Sequence, residues 1–137
     1  MKKELLINLT SIQTIDADST KTELITSGIL EENGDEYTIQ YNESEATGFD
    51  GSTTIVKVTG DKLVSIIRKG KVASELTIEK GTKHHCHYGT PFGDFVVGIF
   101  AHSIINEIKD FKGQLYLKYT IDINSSYVSD NEILIVI

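Results

Sequence analysis

Three of the four histidines and the single cysteine lie within one short segment, KHHCHYGTPFGDF, which runs from Lys83 to Phe95. Imidazole and thiolate groups bind zinc and other transition metals, and a cysteine activated by a histidine can act as a nucleophile. Both chemistries require the side chains to converge on one point. The segment therefore has three interpretations: a metal site, a Cys/His nucleophile, or a strand that runs into a turn.

Strand geometry separates these side chains. Successive residues of a strand point to opposite faces, which places His85 and His87 on one face and His84 and Cys86 on the other. A nucleophilic Cys86 would be out of hydrogen-bond reach of its neighbours, and no cysteine-hydrolase signature surrounds it. A zinc site needs three or four ligands, and only His102 or a carboxylate could add a ligand to the pair His85 and His87. We therefore expect no cofactor and keep His85 and His87 as a secondary metal option.

The second half of the segment, YGTPFG, predicts a bend. Pro91 has a fixed φ and lacks a backbone donor, while Gly89 and Gly93 on either side allow a sharp change of direction. In a barrel such a bend would lie at a rim and serve the fold alone. The functional alternative is a mouth loop in which Tyr88 and Phe92 border a cavity.

Composition and charge limit the classes of protein to consider. The chain of 137 residues is 39% hydrophobic and carries a net charge of −7, which suits one compact domain over residues 1–137. The negative charge repels phosphate backbones, so we expect no nucleic-acid partner. One cysteine excludes an internal disulfide and agrees with a reducing compartment. Because no segment has the features of a signal peptide or the length of a membrane span, we expect a cytoplasmic protein with no membrane partner.

Alternation of apolar and polar residues along most of the chain is the pattern of half-buried strands. Turn signals rich in glycine and asparagine separate about ten such segments, which predicts an antiparallel meander. We interpret HSIINEIKD as the far half of a long strand, with a helical turn as the alternative. The clearest alternating runs are LLINL, DEYTIQYNE, VASELTI and GQLYLKYTIDI.

The two termini favour closure of the sheet. The C-terminal segment EILIVI is apolar on both faces and would be prone to aggregation as an open edge. Pairing with ELLINL near the N-terminus would cover that edge and close a barrel. An open sandwich is the alternative architecture.

Four polar residues on predicted inward faces suggest an internal cluster. Tyr41 and Glu43 share a face with apolar neighbours, and Arg68 and Tyr119 lie on strands of the same kind. Charge inside a barrel must be paired or hydrated, so a Glu43–Arg68 pair could stabilise one end or anchor the polar head of a ligand. Because the opposite face of the Arg68 strand is equally apolar, Arg68 on the solvent side is the other interpretation.

Several weak motifs together resemble a known family. The order and spacing of YNESEATG, IIRKGK, YGTPFG and GQLYLKYTIDI resemble the DUF1934, or YwiB-like, family of small uncharacterised bacterial proteins. The resemblance spans essentially the whole chain and implies an all-β, antiparallel up-and-down barrel of the lipocalin/calycin type, with about 8–10 strands. It implies no established activity, and the histidine-rich segment is not part of the family pattern.

These observations favour a non-catalytic, calycin-like barrel that binds a small apolar or amphipathic ligand. The first alternative is a protein-interaction module with a filled interior, acting through its surface or a strand edge, with a homodimer as one form. The second is an enzyme or metal protein that uses the polar cluster or His85 and His87. The residues predicted to contact a ligand are Tyr41, Glu43, Arg68, Tyr88, Phe92 and Tyr119.

Overall fold

The computed structural model describes residues 1–44, 51–70, 73–90 and 93–137, and within these ranges every regular element is a strand. No helix in those ranges is long and apolar enough to cross a membrane. The strands are β1 Lys2–Ile15, β2 Asp18–Asn33, β3 Glu36–Asn42, β4 Ser52–Thr59, β5 Leu63–Gly70, β6 Ser74–Glu79, β7 Lys83–Thr90, β8 Gly93–Asn106, β9 Gln114–Ile123 and β10 Ser126–Val136.

The ten strands form a closed antiparallel barrel in which each strand pairs with its neighbour in sequence. Closure comes from the terminal strands, because Leu9 of β1 lies opposite Ile135 of β10. This confirms the predicted all-β, up-and-down barrel and the predicted pairing of the two termini. The segment HSIINEIKD continues β8 as far as Asn106, so the strand interpretation is correct for its first five residues, and residues 107–110 lie beyond the strand.

The apolar core fills one half of the barrel. Its residues occupy the inward positions near the end where β2 stops and β3 starts, which we call the closed end. Burying one such side chain contributes roughly 1.5–3 kcal/mol. The inward residues that are almost completely buried are Ile7, Leu30, Ile39, Val58, Val64, Ile78, Ile99, Leu115, Leu117 and Ile135.

Hydrogen bonds between distant segments cover the closed end. The hydroxyl of Tyr37 donates to Oδ1 of Asn106 at 2.7 Å. The amide Nδ2 of Asn106 donates to the carbonyl of Gly60 at 2.8 Å, which ties β8 to the turn after β4. The backbone N–H of Phe111 donates to Glu32 Oε1 at 3.2 Å, and Ile108 packs into the core beneath it. Together these contacts join β2, β3 and β8 to the turns that follow β4 and β8, and they satisfy polar groups that burial would otherwise penalise.

The opposite end, where β1 stops and β10 starts, is built differently, and we call it the polar end. Strand β2 pairs with β1 along its whole length, but its pairing with β3 starts only at Gly28 opposite Tyr41. Among the described residues, the stretch Asp18–Ser27 therefore pairs with β1 alone. Among the described residues, the wall of the polar end therefore has fewer backbone hydrogen bonds between strands than the wall of the closed end.

A second irregularity lies between β6 and β7, which pair at two positions, Ser74 with Tyr88 and Glu75 with His87. Beyond them the backbone N–H of Thr77 donates to Sγ of Cys86 at 3.2 Å. The sulfur of Cys86 thus accepts the hydrogen bond that a backbone carbonyl would accept in a regular strand ladder. Burial raises the pKa of the Cys86 thiol, so it stays protonated and packs as a small apolar group.

Candidate ligand site at the polar end of the barrel

A cavity of about 250 Å³ occupies the barrel interior at the polar end. It is smaller than the roughly 300–1,000 Å³ of pockets that hold drug-sized molecules. Polar side chains predominate in its wall, in contrast to the apolar lining of most ligand pockets. The described lining residues are Ser11, Gln13, Thr20, Thr22, Ile66, Arg68, Leu76, Tyr88, Tyr119, Ile121, Asn131 and Ile133.

Arg68 points into this cavity. It follows Val64 and Ile66 on the inward face of β5, and its side chain is only 12% exposed. Strand alternation therefore places the guanidinium inside the barrel, and the interpretation that Arg68 lies on the solvent side is wrong. Its Nη2 lies 4.0 Å from Oε1 of Glu43, at the outer limit of an ion pair.

Glu43 supplies the carboxylate of the cluster and is almost completely buried, with 2% of its side chain exposed. The hydroxyl of Thr54, itself fully buried, donates to Glu43 Oε1 at 2.8 Å. Burial, and next the nearby Glu43 carboxylate, raise the pKa of Tyr41 far above its usual range. Tyr41 therefore stays a neutral phenol, able to donate a hydrogen bond.

A smaller cavity of about 80 Å³ lies on the Glu43 side of Arg68. Its walls include Tyr41 and Glu43, whereas Ser11, Thr22, Arg68 and Ile133 line both cavities. The Arg68 side chain thus lies between the two spaces. Rotation of that side chain would change the size of each cavity.

Two tyrosines, Tyr119 of β9 and Tyr88 of β7, complete the wall between β10 and β6. Tyr119 is buried, and burial followed by the neighbouring Tyr88 raises its pKa well above the usual range. Tyr88 lies opposite Phe95 of β8, and Phe95 is 42% exposed at the same rim. Phe92, predicted from sequence as a mouth residue, lies outside the described residues.

The sequence interpretation missed the wall formed by β1, β2 and β10. Along β1 the inward side chains change from Ile7 and Leu9 to Ser11 and Gln13, and this change marks where the apolar core gives way to the cavity. In β10, Asn131 donates from Nδ2 to the hydroxyl of Ser129 at 3.0 Å. A search for polar residues at inward positions along a single strand would have found this wall.

This arrangement can bind a polar group. It provides one guanidinium, several hydroxyls and an amide, all of which can donate hydrogen bonds to an oxygen-rich group. Of the described lining residues, none is a histidine or a cysteine, the side chains that most often act as base or nucleophile.

The histidines of β7 do not line the cavity, although Tyr88 of the same strand does, and the side chains divide as strand alternation predicts. His85 and His87 are exposed on the outer face, while Cys86 is buried. His87 Nε2 lies 3.8 Å from Oδ1 of Asp94, and His84 Nε2 lies 2.8 Å from Oε1 of Glu79. Within the part of the chain that the structure describes, no three His, Cys, Asp or Glu side chains come together as a metal site.

Comparison with known proteins places this barrel in a family. The chain matches the model of a domain of unknown function, DUF1934, over residues 7–135. Its fold is similar to that of the crystal structure of the ywiB protein from Bacillus subtilis, with a TM-score of 0.77 and 18% identity over 98% of this chain and 92% of that one. No curated protein matches the chain. The match over nearly the whole sequence shows that this chain belongs to the DUF1934 family.

Proposed function

We propose that this protein is a non-catalytic binding barrel that holds a small amphipathic molecule at the polar end, with the polar head of the ligand against Arg68. The observation that carries this proposal is a largely buried guanidinium in the wall of a polar cavity. Buried cations attract anionic or oxygen-rich groups strongly, because little water screens the interaction.

The two sides of the cavity support an amphipathic ligand rather than a fully apolar one. Ser11 and Thr22, on β1 and β2, line one side with hydroxyls. Across the ten-strand ring, Ile66 of β5 and Leu76 of β6 line the other side with aliphatic groups. A molecule with a short apolar chain and one polar head would satisfy both surfaces.

The volume of the cavity supports a small ligand. At about 250 Å³ it falls below the usual range for drug-sized molecules, so a long lipid chain would not fit without a rearrangement of the wall. A short-chain carboxylate has the required size and charge. Exposed Phe95 at the rim offers an apolar contact where the chain of such a ligand would leave the barrel.

Native mass spectrometry of protein purified under gentle conditions tests this proposal. We expect a small additional mass that is lost on denaturation. It should also be lost in the double variant Arg68→Met and Glu43→Gln, which removes both buried charges and so avoids a lone buried carboxylate. The matched control is Lys69→Met, because Lys69 is the exposed neighbour of Arg68 on the same strand. Repeated recovery of bare wild-type protein would argue against a retained ligand.

A second candidate function is a protein-interaction module that uses a strand edge. The specific observation in its favour is the stretch of β2 that, among the described residues, pairs on one side alone. Ligand binding would use side chains inside the barrel, whereas edge pairing would use the backbone groups and outer side chains of β2, so each can be tested by itself.

A further inference from the structure

At the polar end of the barrel, strand β2 has a long backbone edge that pairs with no strand among the described residues. Residues Asp18–Thr26 pair with β1 on one side, and pairing with β3 on the other side starts at Gly28. At about 3.3 Å per residue this edge is roughly 30 Å long. Its outward N–H and C=O groups form a template onto which another strand can add.

The composition of this edge favours pairing over solvent exposure. Its sequence, DSTKTELIT, is rich in β-branched residues, which suit strands, and it contains no proline. Natural edges that remain unpaired are usually short, bulged or rich in lysine, whereas this one carries Lys21 as its single lysine. Ile25, on its outer face, is 64% exposed. An edge of this kind is typical of a strand that pairs with a further strand.

The charges on the edge select a second copy of the same strand as the partner. Lys21 and Glu23 both lie on the outer face, on either side of Thr22, and are 60% and 64% exposed. In an antiparallel pair of two β2 strands related by a two-fold axis at Thr22, Lys21 of each copy lies opposite Glu23 of the other. Moving that axis by one residue places like charges opposite each other, either two lysines or two glutamates, which destabilises a sheet.

We propose that two copies of this chain pair antiparallel through the edges of β2, centred on Thr22, to form one continuous sheet. The arrangement is an isologous two-fold contact, the commonest geometry of homodimers. It would place Ser19 of one copy opposite Ile25 of the other on the outer face, and Thr20 opposite Leu24 on the inner face. Each copy would thus cover backbone groups and part of an exposed isoleucine in the other.

The β2 edge that forms the proposed dimer contact adjoins the candidate ligand site, but the pairing does not require a bound ligand. Thr20 and Thr22 line the cavity from the inner face of β2, whereas Lys21 and Glu23 lie on the outer face. Charge changes on the outer face should therefore alter dimerisation without altering the cavity wall.

Sedimentation equilibrium of the full chain tests the pairing. We expect the wild-type protein to form a dimer of twice the 15.2 kDa chain mass. Lys21→Glu places glutamates opposite glutamates, and Glu23→Lys places lysines opposite lysines. Each single variant should weaken the dimer by about tenfold or more. The matched control is Lys57→Glu, which breaks a comparably exposed Lys57–Glu36 pair at 2.9 Å on β4 and β3, at the closed end and away from the Asp18–Thr26 edge.

Mixing the two single variants distinguishes contact between copies from an effect within one chain. In a mixed dimer, both carboxylates of the Lys21→Glu chain would lie opposite the two ammonium groups of the Glu23→Lys chain. An equimolar mixture should therefore recover the wild-type dimer. An ion pair within one chain, such as Lys21–Glu23 at 3.1 Å, cannot be restored by mixing. The proposal is overturned if the wild type is monomeric at high micromolar concentration, if the single variants dimerise like Lys57→Glu, or if the mixture stays monomeric.

Discussion

The two ends of this barrel are built from the same strands but carry different side chains at equivalent inward positions. Along β5, Val64 and Ile66 give way to Arg68, and along β1, Ile7 gives way to Ser11. The closed end is filled by aliphatic side chains, whereas the polar end keeps a cavity and a buried charge cluster.

This difference separates the source of stability from the proposed ligand site. Close-packed aliphatic groups at one end supply the favourable free energy of burial. That free energy offsets the cost of holding Arg68 and Glu43 away from water at the other end. A closed barrel suits this division, because each strand crosses both regions and fixes one relative to the other.

The largest difference between the ends should appear in stability. Leu30 and Leu24 both lie on the inner face of β2, but Leu30 is fully buried at the closed end and Leu24 is only partly buried towards the polar end. We expect Leu30→Ala to lower the free energy of unfolding by about 2–5 kcal/mol, and Leu24→Ala by clearly less. Urea denaturation measures both. Equal losses would mean that the aliphatic core extends evenly through the barrel.

Removal of the buried guanidinium should have the next largest effect. Arg68→Ala leaves the Glu43 carboxylate buried without its nearby cation, so we expect a loss of about 1–3 kcal/mol in the free energy of unfolding. Lys69→Ala, its exposed neighbour, should change stability by no more than about 0.5 kcal/mol. If the two variants are indistinguishable in urea denaturation, Arg68 does not lie in a buried cluster in solution.

Alkaline pH should destabilise both ends through buried tyrosines. Burial raises the pKa of Tyr37 at the closed end and of Tyr41 at the polar end above the usual value of 10.0. Stability from these groups is complete below pH 10 and is lost as pH rises above it, because the unfolded chain then releases protons that the folded chain retains. Each such tyrosine should lower the free energy of unfolding by about 1.4 kcal/mol per pH unit in that range.

The variants Tyr37→Phe and Tyr41→Phe isolate these two contributions. Each should reduce the steepness of the decline above pH 10, which denaturation at several pH values measures. An unchanged slope in either variant would show that its phenol ionises as readily in the folded chain as in the unfolded chain.

The smallest predicted effect concerns two asparagine side chains, partly buried Asn106 and buried Asn131. Asn106→Ala removes the bonds to Tyr37 and Gly60 that cover the closed end, so we expect a loss of about 1–2 kcal/mol. Asn131→Ala at the polar end should cost less, because loss of the side chain would extend the adjoining cavity towards its buried partner Ser129, where water can replace the lost amide. Thermal unfolding of both variants gives the comparison, and a larger loss for Asn131→Ala would contradict it.

Alternation in the sequence predicted the antiparallel strands, because inward and outward residues repeat with a period of two, and the apolar terminal segments favoured closure of the barrel. It could not place Arg68, since both faces of β5 are apolar and only pairing with β4 and β6 settles which face is inside. It also missed two hairpin turns that contain no glycine. Asp16 and Asn124 are of residue types that accept positive φ, but Ala17 and Ser125, which follow them and also have positive φ, are not typical of such turns.

The cavity was harder to predict than the fold. Its polar wall depends on Ser11 and Thr22 of neighbouring strands reaching the same space as Arg68 and Tyr119, which lie far apart in the sequence. Tyr41, Glu43, Arg68, Tyr88 and Tyr119 do line one or both of the two cavities, yet their contact with a ligand remains a prediction.

Titration of isotope-labelled protein with hexanoate, followed by amide NMR, tests the central claim most directly. Hexylammonium, which has the same chain length and the opposite charge, is the control ligand. We predict that hexanoate shifts the amides of Ser11, Thr22, Tyr119 and Asn131 at the polar end, and that the shifts are lost in Arg68→Met with Glu43→Gln. Shifts of equal size with hexylammonium, or shifts confined to the closed end, would contradict a ligand site organised by Arg68.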